Sequence, residues 1–403
     1  MKKIILLLLA LLPLVADAQF SGTGFYRAQN EDSQRYLVIV DNRSVGRIGT
    51  SGVDLGLLQC WKGFDERIVS NPASICFIEQ TKESGSKIKT YTCNLSSQGK
   101  SLMSTDGSSG LSLKLVTTSH GTDIYELQGA QGSYSTGICD GNDDSDDINK
   151  QIQLQIDGFK RFYWRIKPVN QDDGYYFGIT GEVAAADGGV WSSMKAAFAF
   201  EPVSNDTKVY TISKVRNGYA ALKELTGRVP AGTPILFRCS SALPANNKLV
   251  LYRDGGTAVS ESLLDGVYFC NDVKDPVNNP NNVHHRNVTY YDENTMRVLG
   301  VDENNNPAFV KGDATNLVVG TKKGGEEGKL FLPANKAYLK VPAGSPDVIK
   351  IVTEEEFATL GINDILMDKQ DDGRYYDLQG RRVDNPTHGL YIVNGRKVVV
   401  GSK

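Results

Sequence analysis

The chain has 403 residues, of which 40% are hydrophobic and 23% are charged, and its 44 Lys and Arg against 47 Asp and Glu give a net charge of -3. This composition is typical of a globular protein and excludes collagen-like, coiled-coil and disordered classes. Because basic residues are not in excess, the chain also lacks the electrostatic footprint of a protein that binds nucleic acid through its phosphates.

The N-terminal segment predicts export. It opens with MKK, continues as an apolar run from Ile4 to Val15 and ends with ADA at Ala18. We therefore expect residues 1–18 to be a signal peptide and the mature protein to be secreted or held at the outer surface. The run is shorter than the roughly 20 residues of a membrane-spanning helix, and no later segment is long and apolar enough, so no transmembrane helix is expected.

All six cysteines follow this segment. Thiols tend to pair in an oxidising compartment, although the sequence does not choose among the connectivities. Pairing within the second half of the chain would join Cys239 to Cys270. The alternative is that the cysteines are buried free thiols.

Residues 19–170 contain a loose pattern that occurs three times. The three units open with GFYRAQNEDSQRYLVIVD, YTCNLSSQGKSLMS and IYELQGAQGSYSTGI, and they close with SICFIEQ, LSLKLV and RFYWRIKPV. Each unit reads as strands between turns, and three such units resemble a β-trefoil with an insertion of roughly residues 43–71 in the first. The alternative is a non-repeating β-sandwich or barrel.

Residues 171–345 predict a β-sandwich-like domain that begins after the polar turn NQDDG. VYTISKV and YAALKEL flank RNG, a hairpin signal. The phrases VPAGTPILF and LPANKAYLKV each place a residue that tolerates positive φ, Gly232 or Asn335, before an aliphatic strand.

The last segments are a linker and a small module. Residues 346–372 are expected to be a linker with a single helical turn opening at Thr353. Residues 373–403 predict a β-hairpin module, because LYIV and KVVV flank Asn394-Gly395. The predicted fold class is therefore all-β throughout.

This C-terminal module closely resembles the tails of many secreted Bacteroidetes-type proteins. The matching residues are YDLQGRRV from Tyr376 to Val383, then Pro386, GLYIVNG from Gly389 and RKVVV from Arg396. The resemblance implies a type IX secretion sorting or surface-attachment tail whose partner is the secretion machinery. The KVY, VPAGTP and LPANKAYL phrases and the trefoil-like opening are similar to β-rich modules of the same group, and that similarity implies no activity.

Two aromatic and acidic pairs near turns are candidates for binding sugars, because aromatic faces stack on pyranose rings beside carboxylates. They are Trp61 with Asp41, and Tyr134 with Asp140. The Gln-x-Trp phrase of ricin-type lectins is missing. The alternative is that these aromatic side chains belong to the core, as we expect of Trp164.

The densest charged run forms an acidic loop in which four oxygen-bearing residues alternate as the first ligands of an EF-hand would: Asp140, Asn142, Asp144 and Asp146. Ser145 stands where the sharp turn requires Gly, and Gln151 stands where a bidentate Glu is needed. The run is therefore either a solvated loop or a weak Ca²⁺ site, and no other cofactor is expected.

The sequence carries no readable catalytic motif. It has no G-x-S-x-G elbow, no H-E-x-x-H helix and no nucleotide-binding glycine pattern, and the S-x-x-K from Ser192 to Lys195 lacks its companion motifs. We therefore expect a non-enzymatic binding protein whose ligand is a glycan or a host or cell-surface protein. The alternatives are an unrecognised secreted carbohydrate-active enzyme or protease, and a purely structural surface component.

Overall fold

The computed structural model describes residues 20–44, 56–62, 66–97, 100–101, 111–119, 122–131, 134–140, 150–155, 163–169, 175–268, 289–320, 328–367, 374–377, 382–387, 389–393 and 396–401. Strands dominate these residues, so the predicted all-β class is confirmed. The segment predicted to be a signal peptide lies outside them.

The first unit consists of short strands and one short helix in its described part. In chain order they are β1 (Gly24–Asn30), β2 (Arg35–Ser44), β3 (Gly56–Lys62), α1 (Glu66–Val69), β4 (Cys76–Ser84), β5 (Thr90–Ser97), β6 (Lys100–Ser101), β7 (Leu111–Ser119), β8 (Thr122–Gln131), β9 (Tyr134–Asp140), β10 (Lys150–Gln155) and β11 (Tyr163–Pro168).

Six of these strands close into a barrel. The antiparallel pairs β1–β4, β4–β5, β5–β7, β7–β8, β8–β11 and β11–β1 form a complete ring. They are the strands that open and close the three predicted units. The remaining strands lie outside the ring: β2 pairs with β3, β3 with β10 and β10 with β9, and β6 pairs with the ring strand β5. Closure leaves the ring without an unpaired edge.

Alternate residues of the ring strands fill the barrel. The cluster includes Tyr26 and Ala28 of β1, Ile78 of β4, Leu113 of β7 and Trp164 of β11. Trp164 is fully buried, which confirms that it is a core residue. This period of two is the reason that strands with polar residues at every second position can still enclose a core.

The second unit contains fifteen strands within its described residues. They are β12 (Phe177–Gly178), β13 (Val183–Ala184), β14 (Val190–Met194), β15 (Ala199–Pro202), β16 (Lys208–Arg216), β17 (Tyr219–Leu225), β18 (Ile235–Cys239), β19 (Lys248–Tyr252), β20 (Leu264–Gly266), β21 (Met296–Val301), β22 (Pro307–Val310), β23 (Val318–Val319), β24 (Leu330–Phe331), β25 (Ala337–Lys340) and β26 (Val348–Thr353).

Ten of these strands form a curved half-barrel in the order β13-β14-β18-β16-β17-β26-β22-β21-β25-β20. The same four-stranded pattern occurs twice in it. In the first copy the strands lie side by side in the order β14-β18-β16-β17, and in the second copy they lie in the order β20-β25-β21-β22. In each copy, the strand that comes first in the chain therefore pairs with the strand that comes last. β26 joins the two halves, because it pairs in parallel with β17 and antiparallel with β22.

A three-stranded sheet, β12-β19-β15, completes this unit. Strand β18 shows how the layers meet: Ile235 and Phe237 belong to one buried cluster, with Phe177 and Leu249 of the small sheet, whereas Leu236 belongs to another. Both faces of β18 are therefore buried over residues 235–237, which explains why these three are all apolar, whereas the next residue, Arg238, pairs with Asp187.

The predicted turns of this unit are confirmed. Asn217 and Gly218 join β16 to β17 with φ angles of 50° and 77°. Gly232 and Asn335, which precede β18 and β25, have φ angles of 80° and 58°. Positive φ strains most side chains and is tolerated by Gly and Asn, so the sequence identified these turns correctly.

The predicted linker contains a longer helix than expected. Helix α2 spans Glu354–Met367, so the expectation of a single helical turn was wrong. Thr353 and Glu356 form a reciprocal capping box: the Glu356 N–H donates to Thr353 Oγ1 at 3.2 Å, and the Thr353 N–H donates to Glu356 Oε2 at 2.9 Å. Such a cap satisfies two backbone donors and stabilises the start of a helix.

The C-terminal module is a four-stranded sheet in the order β28-β27-β29-β30, built from β27 (Tyr375–Tyr376), β28 (Arg382–Val383), β29 (Gly389–Val393) and β30 (Arg396–Val400). Val393 lies opposite Arg396 in the antiparallel pair β29–β30. The predicted hairpin pairing is confirmed, and its turn residues Asn394 and Gly395 lie outside the described part.

The first two units share an apolar contact. The rings of Phe25 and Phe198 lie 6.0 Å apart in an edge-to-face arrangement. Ile75, which belongs to the first unit by sequence, is buried in the core cluster of the second.

None of the described helices is long and apolar enough to cross a membrane.

Candidate functional site

A cavity of about 280 Å³ lies in the second unit, where β15, the start of β16 and the end of β17 meet. Its walls are mostly polar. They are formed by Glu201, Pro202, Ser204, Asn205, Thr207, Lys208, Val209, Glu224, Leu225, Thr226 and Gly227. This volume is near the lower end of the roughly 300–1,000 Å³ of small-molecule sites.

Local folding brings these residues together from three segments. A turn after β15, in which the Thr207 N–H donates to the Ser204 carbonyl at 3.2 Å, returns the chain to β16. In the β16–β17 hairpin Tyr210 lies opposite Glu224, and Val209 lies opposite Leu225. Val209 is buried in the core, and the alternation of strand side chains therefore leaves its neighbour Lys208 on the other face.

Both carboxylates of the cavity are held by cations. Lys208 Nζ donates to Glu224 Oε1 at 3.0 Å, and Arg228 Nε donates to Glu201 Oε1 at 3.0 Å. The hydrogen bond and the charge of Glu224 raise the pKa of Lys208 above its ordinary value. The Arg228 guanidinium also stacks on Tyr252, 3.4 Å from the ring centroid. The four charged groups therefore balance each other.

The wall of the cavity at Thr207 is rigid. Thr207 is only 3% exposed, and its Oγ1 donates to Asn247 Oδ1 at 3.4 Å. The Asn247 amide in turn donates to the carbonyls of Ile179 and Ser241 at 2.9 and 2.8 Å. The Thr207 hydroxyl is therefore bonded within the protein and supports the wall from behind.

The Cys239 thiol lies beside the same threonine. It is a buried free thiol, and burial raises its pKa to about 11 although a hydrogen bond with Thr207 opposes the shift. Cys270, its predicted disulfide partner, lies outside the described residues. The pairing itself remains a prediction.

The sugar-binding candidates of the first unit lie on strands whose backbone is described and whose side chains are not. Trp61, in β3, is opposite Tyr36, and Asp41 lies five residues further along β2. Tyr134 and Asp140 are the first and last residues of β9. The backbone does not bring the members of either pair side by side, and their role in binding a ligand remains a prediction.

The candidate calcium ligands Asn142, Asp144 and Asp146 lie outside the described residues, and the side chain of Asp140 is also not described. Elsewhere, the described part of the chain contains no group of three or more His, Cys, Asp or Glu side chains placed to hold a metal ion. The weak calcium site remains a prediction that calorimetric titration with Ca²⁺ tests.

The S-x-x-K segment is structural. Ser192 Oγ donates to Glu182 Oε2 at 3.2 Å, whereas Lys195 Nζ donates to the Gly266 carbonyl at 3.0 Å and lies 4.9 Å from the Tyr268 ring centroid. Serine and lysine therefore have different partners and do not form a nucleophile with its base.

Sequence reasoning missed the cavity. Glu201, Lys208 and Glu224 lie on three strands, and nothing in their spacing along the chain indicates that they meet. The only available signal was the period of two in KVYTISKV, which places Lys208 and Tyr210 on the face opposite Val209.

We compared the chain with protein-family models, with curated proteins and with solved structures, and none of the three comparisons finds a match.

Proposed function

We propose that this chain is a secreted or surface-attached binding protein without enzymatic activity, and that its ligand is a glycan or a host or cell-surface protein. The observation that carries the proposal is the polar cavity, whose hydroxyl, amide and charged groups converge on a space suited to a small ligand.

The pairing of both carboxylates favours binding over hydrolysis. Glycosidases use two carboxyl groups, one of which must be protonated to act as an acid. Glu224 and Glu201 are instead both engaged in ion pairs, with Lys208 and Arg228.

We also propose a β-trefoil for the first unit and a β-sandwich-like arrangement for the second. The closed six-stranded ring with three further strand pairs supports the trefoil. The small sheet packed against the half-barrel supports the second assignment. The C-terminal sheet is the sorting or attachment tail, whose partner is the secretion machinery.

The proposal is tested on an array of glycans and host glycoproteins with the mature chain. Two variants locate the site: Glu224→Gln in the cavity and Trp61→Ala in the first unit. The matched control is Glu261→Gln, because Glu261 is exposed and pairs with Lys223 outside the cavity. Selective binding that Glu224→Gln abolishes and the control retains supports the cavity. Loss with Trp61→Ala alone places the site in the first unit, and an array without binding contradicts the proposal.

A further inference from the structure

We infer that the cavity accepts one neutral sugar residue and rejects its acidic counterpart, a specificity that rests on the proposed function. The volume of the cavity restricts the size of the ligand. A space of about 280 Å³ is small for a ligand site, so it fits a single ring at the end of a glycan and not an extended chain.

The cavity wall offers both hydrogen-bond donors and hydrogen-bond acceptors. Glu201 and Glu224 accept hydrogen bonds, the Asn205 amide donates and accepts them, and Ser204 and Thr226 each carry a hydroxyl that also donates and accepts. A sugar hydroxyl also donates one bond and accepts others. The polar wall therefore matches a ligand with several hydroxyl groups around one ring.

Part of the cavity wall is apolar. Pro202 and Leu225 line it beside the polar groups, and both side chains are partly exposed. A pyranose ring has a face of C–H groups that can pack against such side chains, whereas a small inorganic ion has none. Burial of this face adds a hydrophobic contribution to the hydrogen bonds.

The charges at the cavity are already balanced. Lys208 and Arg228 are bonded to Glu224 and Glu201 at 3.0 Å each. A ligand carboxylate would therefore meet no uncompensated positive charge, and it would lie near Glu201 and Glu224 as a like charge. Such a juxtaposition disfavours binding, so the ion pairs select against uronic acids.

The experiment uses the full mature chain and four probes: the methyl glycosides of glucose and galactose, and those of glucuronic and galacturonic acid. Binding is measured by saturation-transfer NMR and calorimetry for the wild type, Glu224→Gln, Thr226→Val and the control Glu261→Gln. We expect a neutral glycoside to bind about tenfold more tightly than its acid, and about tenfold more weakly to each cavity variant than to the control.

The outcomes separate this inference from the function on which it rests. An acid that binds as tightly as its neutral counterpart, with binding lost in Thr226→Val, overturns the inference and leaves the cavity as a binding site. The absence of binding to all four glycosides overturns the cavity specificity. If the glycan array is then also empty, the proposed function fails as well.

Discussion

Arg27 of the barrel donates from its Nη1 to the backbone carbonyl of Tyr176 in the second unit at 2.9 Å. Arg27 is fully buried, and its guanidinium also bonds to the Tyr175 carbonyl at 3.0 Å, the Val69 carbonyl at 3.1 Å and the Ser74 hydroxyl at 3.1 Å. Burial lowers the pKa of Arg27, yet the guanidinium remains charged at neutral pH. One side chain therefore joins the two units.

Replacement of this side chain should destabilise the whole protein. Arg27→Leu removes the donor of three backbone carbonyls and of the Ser74 hydroxyl, and we expect it to lower the free energy of unfolding by roughly 3 kcal/mol. Urea unfolding followed by circular dichroism measures the change. The control is Arg253→Leu, which removes an exposed ion pair with Glu79 between the same units and should cost less than about 1 kcal/mol. Equal losses would contradict the special role of Arg27.

Three described cysteines should be inert in the native protein. Burial raises the pKa of Cys76 and of Cys93 to about 12 and that of Cys239 to about 11, and the thiolate is the reactive form. We expect iodoacetamide to label them only after denaturation, as peptide mass spectrometry will show. Labelling of Cys239 in the native state would contradict the burial, and a peptide that links it to Cys270 would establish the predicted disulfide.

Asp265 should contribute stability that acid removes. Burial alone would raise its pKa, but hydrogen bonds from Lys340 Nζ at 2.6 Å and the Gly266 N–H at 2.7 Å lower it below the ordinary value. The stabilisation is therefore present above the pKa of the unfolded state, about 4, and is lost as the pH falls through the lower native pKa.

The corresponding variant is Asp265→Asn. We expect it to lower the melting temperature at pH 7, and the difference from wild type to shrink progressively below about pH 4. Calorimetry at several pH values measures both. Asp254→Asn serves as the control, because the Asp254 side chain is 85% exposed and should have a small effect that changes little with pH. If the difference in melting temperature between Asp265→Asn and wild type were the same at every pH, the proposed role of the Asp265 carboxylate would be contradicted.

Asn335 should tolerate glycine better than alanine. Its φ is 58°, its Nδ2 donates to the Lys195 carbonyl at 3.0 Å, and its own carbonyl accepts from the Lys195 N–H at 2.8 Å. Both variants lose the side-chain bond, about 1 kcal/mol, and alanine adds about 1–2 kcal/mol of backbone strain.

The stability of both variants is compared by denaturant unfolding. Gly344→Ala isolates the strain, because Gly344 has a φ of 84° and a Cβ added there meets nothing within 4 Å. Asn335→Ala should have a lower free energy of unfolding than Asn335→Gly. The difference should about equal the free energy that Gly344→Ala loses relative to wild type. If Asn335→Ala were instead the more stable of the two variants, the turn would have relaxed to a conformation without this strain.

The sequence predicted the local features that one or two residue types control. Positive φ at Gly232 and Asn335 follows from turn chemistry, and the opening and closing strands of the three units follow from their period of two. The length of α2 was missed because the T-x-x-E capping box at Thr353 was read only as the start of a single turn.

The cavity was beyond sequence reasoning for a different reason. Its walls come from β15, β16 and β17, and their meeting depends on how the small sheet packs against the half-barrel. Propensity and periodicity describe each strand on its own and contain no information on that packing. The charge pairs of Glu201 and Glu224 follow from the same tertiary arrangement.

The closing strands of both units have a consequence for folding kinetics. β11 pairs with β1, so Pro168 meets Tyr26, and β26 pairs with β17, so Lys350 meets Tyr219. Contacts between residues this distant in the chain are costly in loop entropy and slow to form. Neither sheet can be completed until its last strand is available. Each sheet therefore becomes complete only after nearly all of its unit has been synthesised.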